Sequence, residues 1–178
     1  RIWRGRTFNY FTGDAGMKDI VIFDLDGTLA DGTHRLHLLP KDNYGETWAR
    51  KPFNMVCKDD APIYDNIHLC SVLWHSGLTI IILTGRSDDA EEETREWLRE
   101  NNVRFDTLIM RSKHDNRKDI VIKEEVLRAF GLERILCAFD DSPAVIMHFR
   151  DLGITAHAVT EYDCNGNSTH LKPHGSDK

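Results

Sequence analysis

Ile20-Val21-Ile22-Phe23-Asp24-Leu25-Asp26-Gly27-Thr28 is the stretch from which the rest of this chain is read. An apolar run without alternation reads as a strand buried on both faces, as in a parallel sheet covered by helices. The run ends in two carboxylates one residue apart, with Gly27 and Thr28 directly after them. Open α/β sheets bind ligands beyond the carboxyl ends of their strands, which is where Asp24 and Asp26 fall. Two anions this close repel unless a cation or a shared proton offsets them. The stretch therefore predicts a hard divalent cation held by oxygens, with Mg²⁺ the expected ion.

Outward from this stretch, strands alternate with helices. Leu78–Leu83 is a second buried strand and runs into Thr84-Gly85-Arg86. Further strands are expected at Thr107–Met110, Ile135–Phe139 and Ile154–Val159. Ile63, Ile67, Cys70 and Trp74 recur at helical spacing between Pro62 and Gly77, residues suited to a helix start and stop. Residues 89–101 read as the next helix, capped by Ser87 and Asp88, with Glu91 and Arg95 paired and Trp97 and Leu98 facing inward. Ile122, Val126 and Phe130 mark another, closed by Gly131, with Asp119 expected as a cap. Ser142-Pro143 signals the start of the last helix, ending near Gly153.

This order predicts an α/β fold: a three-layer, Rossmann-like domain around a central parallel sheet. The polar segment 29–60 is expected to be a small, short-helical cap insertion with Trp48, Phe53 and Val56 as anchors. Trp48 and Trp74 are expected in the core rather than as platforms for nucleic-acid bases. Residues 1–16 alternate arginines with aromatics, unlike the rest of the chain, and are expected to be a leader or flexible arm. Residues 17–160 then form the domain, and residues 161–178 a polar, loose tail.

Composition narrows the class. At 178 residues, 40% hydrophobic and 29% charged, the chain suits one globular domain with a proper core. No apolar run reaches membrane-spanning length. A net charge of −6 argues against broad duplex binding, which needs a basic face. Cys57, Cys70, Cys137 and Cys164 fit no Cys-x-x-Cys motif, so a reducing, cytoplasmic setting is expected. His34 and His37, and His170 and His174 in the tail, are expected at the surface rather than on zinc, since a third ligand is missing.

The chemistry-bearing residues fall at three strand ends: Asp24 and Asp26, then Thr84, then Asp140 and Asp141. Asp24 suits a nucleophile attacking phosphorus to give an aspartyl-phosphate. Asp26 suits a general acid, then base, for the leaving oxygen and for water. Thr84 offers a hydroxyl and Gly85 a backbone N–H to phosphoryl oxygens. A lysine is needed against the charge on the transferring group; Lys123 is the first choice and Lys118 the second. Asp140 and Asp141 would complete the oxygen shell of Mg²⁺, directly or through water.

Asp24-Leu25-Asp26-Gly27-Thr28, Thr84-Gly85-Arg86, Lys123 and Asp140-Asp141 resemble, in order and context, the four motifs of the haloacid dehalogenase (HAD) superfamily of phosphohydrolases. The resemblance covers about Lys18–Ala158. Its second aspartate implies a phosphatase, and implies that the main-chain carbonyl of Asp26 also binds Mg²⁺. The run Arg111-Ser-Lys-His-Asp115-Asn-Arg117-Lys118-Asp119-Ile-Val-Ile-Lys123-Glu124-Glu125 is similar to the phosphatase domain of phage polynucleotide kinase–phosphatases, as is Thr84-Gly85-Arg86 with threonine for serine. That likeness implies removal of a 3′-phosphate from nucleic-acid ends. It also implies that Arg86, Arg111 and Arg117 contact substrate or order the site. No Gly-x-x-x-x-Gly-Lys-Ser/Thr loop occurs in the sequence, so phosphatase activity alone is expected.

The expected partner is a phosphorylated nucleic-acid end or a nucleotide, with no membrane. A phosphatase of free nucleotides is the alternative, favoured by the net charge of −6. A non-catalytic phosphate-binding module comes third: it predicts loss of Asp24, Asp26 or Lys123, and all are present.

Overall fold

The computed structural model describes residues 18–43 and 45–160. The expectations for the leader, the tail, Cys164, His170 and His174 lie outside the described residues.

The opening strand, β1 (Ile20–Phe23), has every side chain buried. After it come the short strands β2 (Ala30–Asp31) and β3 (Ala61–Pro62), with helix α1 (Lys51–Met55) between them. The chain continues through α2 (Tyr64–His75), β4 (Thr79–Ser87), α3 (Glu91–Glu100), β5 (Thr107–Arg111), α4 (Asp119–Phe130), β6 (Ile135–Asp140), α5 (Pro143–Asp151) and β7 (Ala156–Ala158). Five strands form one sheet in the order β5-β4-β1-β6-β7, all parallel.

β1 is central because its residues can be buried twice over. Ile20 and Ile22 point into one layer, where Leu127 of α4 and Val145, Ile146 and Phe149 of α5 pack. Val21 and Phe23 point into the other, against Ile67 and Cys70 of α2 and Trp97 and Leu98 of α3. Alternate side chains of a strand face opposite ways, so an unbroken apolar run feeds both layers. Fully burying each such side chain contributes about 1.5–3 kcal/mol.

The segment expected as a short-helical cap does hold short helical pieces, with two short strands at its ends that the sequence reading did not include. β2 and β3 pair antiparallel, Ala30 with Pro62 and Asp31 with Ala61, and form a stalk. Above it lie short 3₁₀ turns and the five-residue α1. Pro62 belongs to this stalk, and α2 starts two residues later at Tyr64. Phe53 is buried as an anchor and Val56 is half-buried, but Trp48 is 59% exposed, against expectation. Trp74 is half-buried and donates to Asp106 over 3.3 Å.

The second large strand also runs further than the sequence suggests. β4 continues through Thr84-Gly85-Arg86 to Ser87, because the register slips: Thr84 pairs with Met110, yet Ser87 pairs with the next residue, Arg111. Such a bulge re-aims side chains at a sheet's rim. Among the described residues no helix is long and apolar enough to cross a membrane, and Cys57, Cys70 and Cys137 are free thiols.

Candidate functional site

The Asp24 N–H donates to Phe139 O over 2.9 Å, the last rung between β1 and β6. That rung sets Asp24 beside Asp140 at the carboxyl edge of the sheet. Asp24, Asp140 and Asp141 are all buried, and each offers an oxygen within 4.8 Å of the others. Lys123, in the second turn of α4, is 3% exposed. Its Nζ donates to Asp24 Oδ1 and to Asp140 Oδ2, each over 2.8 Å. Asp119, one helical turn earlier, holds the same ammonium at 3.2 Å.

Charge is unbalanced here. Burial opposes the Lys123 ammonium, but Asp119, Asp140 and Asp24 outweigh it and hold its pKa well above the usual lysine value. Burial lifts the Asp24 carboxyl well above its ordinary range; Asp140 and Asp141 add to this and Lys123 opposes it. Burial raises Asp140 likewise. Asp119 is half-buried; desolvation opposes its charge, but Lys123 and Arg111 pull it below its ordinary value. A cluster of oxygens with surplus negative charge fits a hard dication, and Asp24, Asp140 and Asp141 could hold one.

Asp26 faces a second network. Arg35 donates from Nη2 to Asp26 Oδ1 over 2.5 Å, and from Nε and Nη2 to the two oxygens of Asp60 over 2.6 and 2.7 Å. Its Nη1 reaches Phe53 O at 3.0 Å, and its guanidinium lies 3.9 Å above the Phe53 ring. Arg86 grips Asp26 from the other side, through Nη2 at 2.5 Å and Nε at 3.2 Å, and also reaches Asp60 at 3.1 Å and Thr94 Oγ1 at 3.1 Å. Trp97 Nε1 donates to Asp60 O over 2.7 Å, tying the foot of the cap to α3. Bidentate guanidinium–carboxylate pairs of this kind fix orientation as well as charge. The Asp26 side chain keeps 19% exposure, so a reacting group can still reach it.

The remaining candidates divide. Thr84 is buried, and its Oγ1 accepts the Arg86 N–H over 3.1 Å, which leaves its own proton to donate. A Cβ on Gly85 would stand 2.7 Å from Asp119 Oδ1, so this position needs glycine to let the aspartate in. Gly27 holds φ +77° in the turn after Asp26. Arg111 donates to Asp119 Oδ1 over 3.0 Å and to Arg117 O over 2.7 Å. Arg117 is exposed and pairs with Asp115 at 2.6 Å and Glu125 at 2.7 Å. Lys118, the second choice of lysine, is exposed at the start of α4.

Two expected caps do other work. Asp119 binds Lys123 and Arg111, and Asp88 Oδ1 accepts the Lys113 N–H over 2.9 Å. Neither Ser87 nor Ser142 caps through its side chain; the Ser142 N–H goes to Asp140 Oδ1 over 2.9 Å. His34 Nε2 lies 3.0 Å from Asp60 Oδ1, while His37 Nδ1 meets His34 O at 3.1 Å. Arg35, Asp60 and Asp119 escaped the sequence reading as site residues. The i,i+4 spacing of Asp119 and Lys123 was a usable signal. For Arg35 and Asp60, 25 residues apart, there was none.

Comparison with known proteins adds to this geometry. Residues 18–164 match the family model of the polynucleotide kinase PNKP phosphatase domain. A protein of Autographa californica nuclear polyhedrosis virus, named as a bifunctional polynucleotide kinase/RNA ligase, is 28% identical over 137 residues, covering 75% of this chain and 18% of the viral protein. A chain of the Pnkp1/Rnl/Hen1 RNA repair complex superposes with a TM-score of 0.65 at 25% identity, over 89% of this chain and 48% of that one. A phosphatase from Clostridium difficile shares the fold, with a TM-score of 0.58 at 14% identity over 80% of this chain and 85% of that one. The chain thus spans about half of the repair-complex protein and under a fifth of the viral one.

Proposed function

The chain belongs to the family of polynucleotide kinase PNKP phosphatase domains, HAD-type phosphatases, and from that premise we propose that it removes the 3′-phosphate from polynucleotide ends through an aspartyl-phosphate. The observation that carries this reading is the Lys123 ammonium held between Asp24 and Asp140, with Asp141 alongside.

Lys123 engages Asp24 Oδ1, so we assign attack on phosphorus to Oδ2. The P–O bond to the 3′ oxygen breaks as the Asp24–phosphorus bond forms, and Asp26 delivers a proton to the leaving oxygen. In the second step Asp26 takes a proton from water, the water oxygen attacks phosphorus, and the Asp24 carboxylate leaves. Arg35 and Arg86 act as positioning residues that aim Asp26. The Thr84 hydroxyl and the Gly85 N–H are assigned to the phosphoryl oxygens, opposite Lys123. Asp24, Asp140, Asp141 and the Asp26 main-chain carbonyl would hold Mg²⁺. When bound, that ion supplies positive charge to the phosphoryl group and the buried carboxylates.

The net charge of −6 favours a second reading, in which free nucleotides are the substrate. Turnover of a 3′-phosphorylated oligonucleotide compared with a nucleoside 3′-monophosphate separates the two. A higher kcat/KM on the oligonucleotide is expected; a thousandfold preference for the mononucleotide would remove the polynucleotide reading.

A further inference from the structure

A groove of about 330 Å³ opens between the cap and the loop after β5, lined by Trp48, Lys51, Asp89, Lys113, His114 and Asn116. We propose that it is a subsite for an unpaired base and the adjoining phosphodiester of a single-stranded substrate, with the Trp48 indole as stacking platform. The proposal rests on the polynucleotide reading above.

Trp48 is a costly residue to leave 59% in water, yet its backbone is firmly placed. Its neighbour Thr47 is buried, donates from N to Asn116 Oδ1 over 2.9 Å, and donates from Oγ1 to Asp115 O over 2.6 Å. Asn116 Nδ2 in turn donates to Glu46 Oε2 over 2.7 Å. These bonds pin cap and loop together and hold both walls in place, so a base meets a preformed slot.

Charge and position agree with that occupant. Lys51 sits 3.8 Å from Asp89 and is partly neutralised by it, while Lys113, held by its main chain to Asp88, keeps an exposed ammonium for a phosphate. Asp89 follows the end of β4 and Lys113–Asn116 follow β5, on the same edge of the sheet as Thr84. The loop starts at Arg111, which bonds Asp119, itself 3.2 Å from Lys123. A single aromatic face beside a cation accepts any unpaired base, whatever its sequence.

The test measures binding of a short fluorescent single strand bearing a 3′-phosphate to the full chain, in an Asp24→Asn background that prevents turnover. Adding Trp48→Ala is expected to weaken binding roughly 10- to 100-fold, the usual range for one stacked base, and Trp48→Phe to restore most of it. With an abasic site in the strand at the stacking position, the Trp48→Ala penalty is expected to disappear. Equal affinity of the Ala variant and its parent, at unchanged thermal melting, overturns the subsite and leaves the 3′-phosphatase reading standing. Trp48-dependent binding by a chain that does not hydrolyse the 3′-phosphate of the same strand keeps the subsite and removes the reading. Failure of both the parent and the unsubstituted chain to bind the strand, with its 3′-phosphate left intact by the latter, removes both.

Discussion

Substituting Arg35 by alanine gives the sharpest test of how the site is supported. Arg35 has no solvent exposure and donates hydrogen bonds to Asp60, Asp26 and Phe53 O. The substitution leaves Asp60, also fully buried, with Arg86 at 3.1 Å and His34 at 3.0 Å as its remaining ionic partners among the described residues. Removing one member of a buried pair strands the other and costs about 3–5 kcal/mol, far above the value of a surface bridge. Arg35→Ala should therefore lose about that much in urea unfolding. Lysine should rescue little, since one ammonium cannot reproduce a fork that serves two carboxylates. Turnover should fall by ~10²-fold or more with KM nearly unchanged, the scale of a mispositioned general acid. The double variant Arg35→Met, Asp60→Leu should regain part of the stability, because the stranded charge is gone, while its kcat stays low. A loss below about 1 kcal/mol for Arg35→Ala, or additive losses in the double variant, would refute the reasoning.

Other consequences rest on single contacts. Gly85→Ala should lower kcat by displacing Asp119, whose Oδ1 would lie 2.7 Å from the new methyl; steady-state kinetics at unchanged melting temperature checks this, and wild-type turnover would count against the contact. A chelator should stop turnover and added Mg²⁺ restore it; chelator-resistant activity would contradict the oxygen-cluster assignment. Burial raises the thiols of Cys57 and Cys70, the latter to about 12, so neither should react with iodoacetamide at neutral pH until the protein unfolds, as peptide mapping would report. The bonds from Arg117 pull the Asp115 carboxyl down to about 2. A depressed carboxylate stabilises above its unfolded pKa and loses that contribution as pH falls through its folded one, so loop order should persist well below pH 4 and fade toward pH 2. Carboxyl titration by NMR would show this, and Arg117→Ala should raise Asp115 part of the way back, since the residue-117 N–H still donates to its Oδ1.

What the sequence disclosed was local or periodic. The apolar run Ile20–Phe23 announced a strand buried on both faces, and the helix around Trp97 and Leu98 announced its inward side. Asp24, Lys123, Asp140 and Asp141 stood out because strand ends and helix starts are fixed by such patterns, and the structure gathers them at one edge. Arg35 and Asp60 did not, because their pairing is made by the fold of the cap, across a stretch with no hydrophobic period. Trp48 was assigned to the core on composition alone; its neighbour Thr47 is the buried residue, and one step along the turn moves the indole into water. Pro62, expected near the start of a helix, does stand two residues before Tyr64, and it also pairs in the two-stranded stalk, where proline is tolerated at an edge.

The most direct measurement of the central claim is chemical trapping of the phosphorylated protein. Acid-quenched enzyme in steady turnover of a 3′-phosphorylated oligonucleotide is reduced with borohydride, which converts an acyl phosphate on aspartate to homoserine, and then mapped by peptide mass spectrometry. Homoserine at position 24 is the predicted result, absent from Asp24→Asn. Homoserine confined to another aspartate, or none in a preparation that turns over, would contradict it.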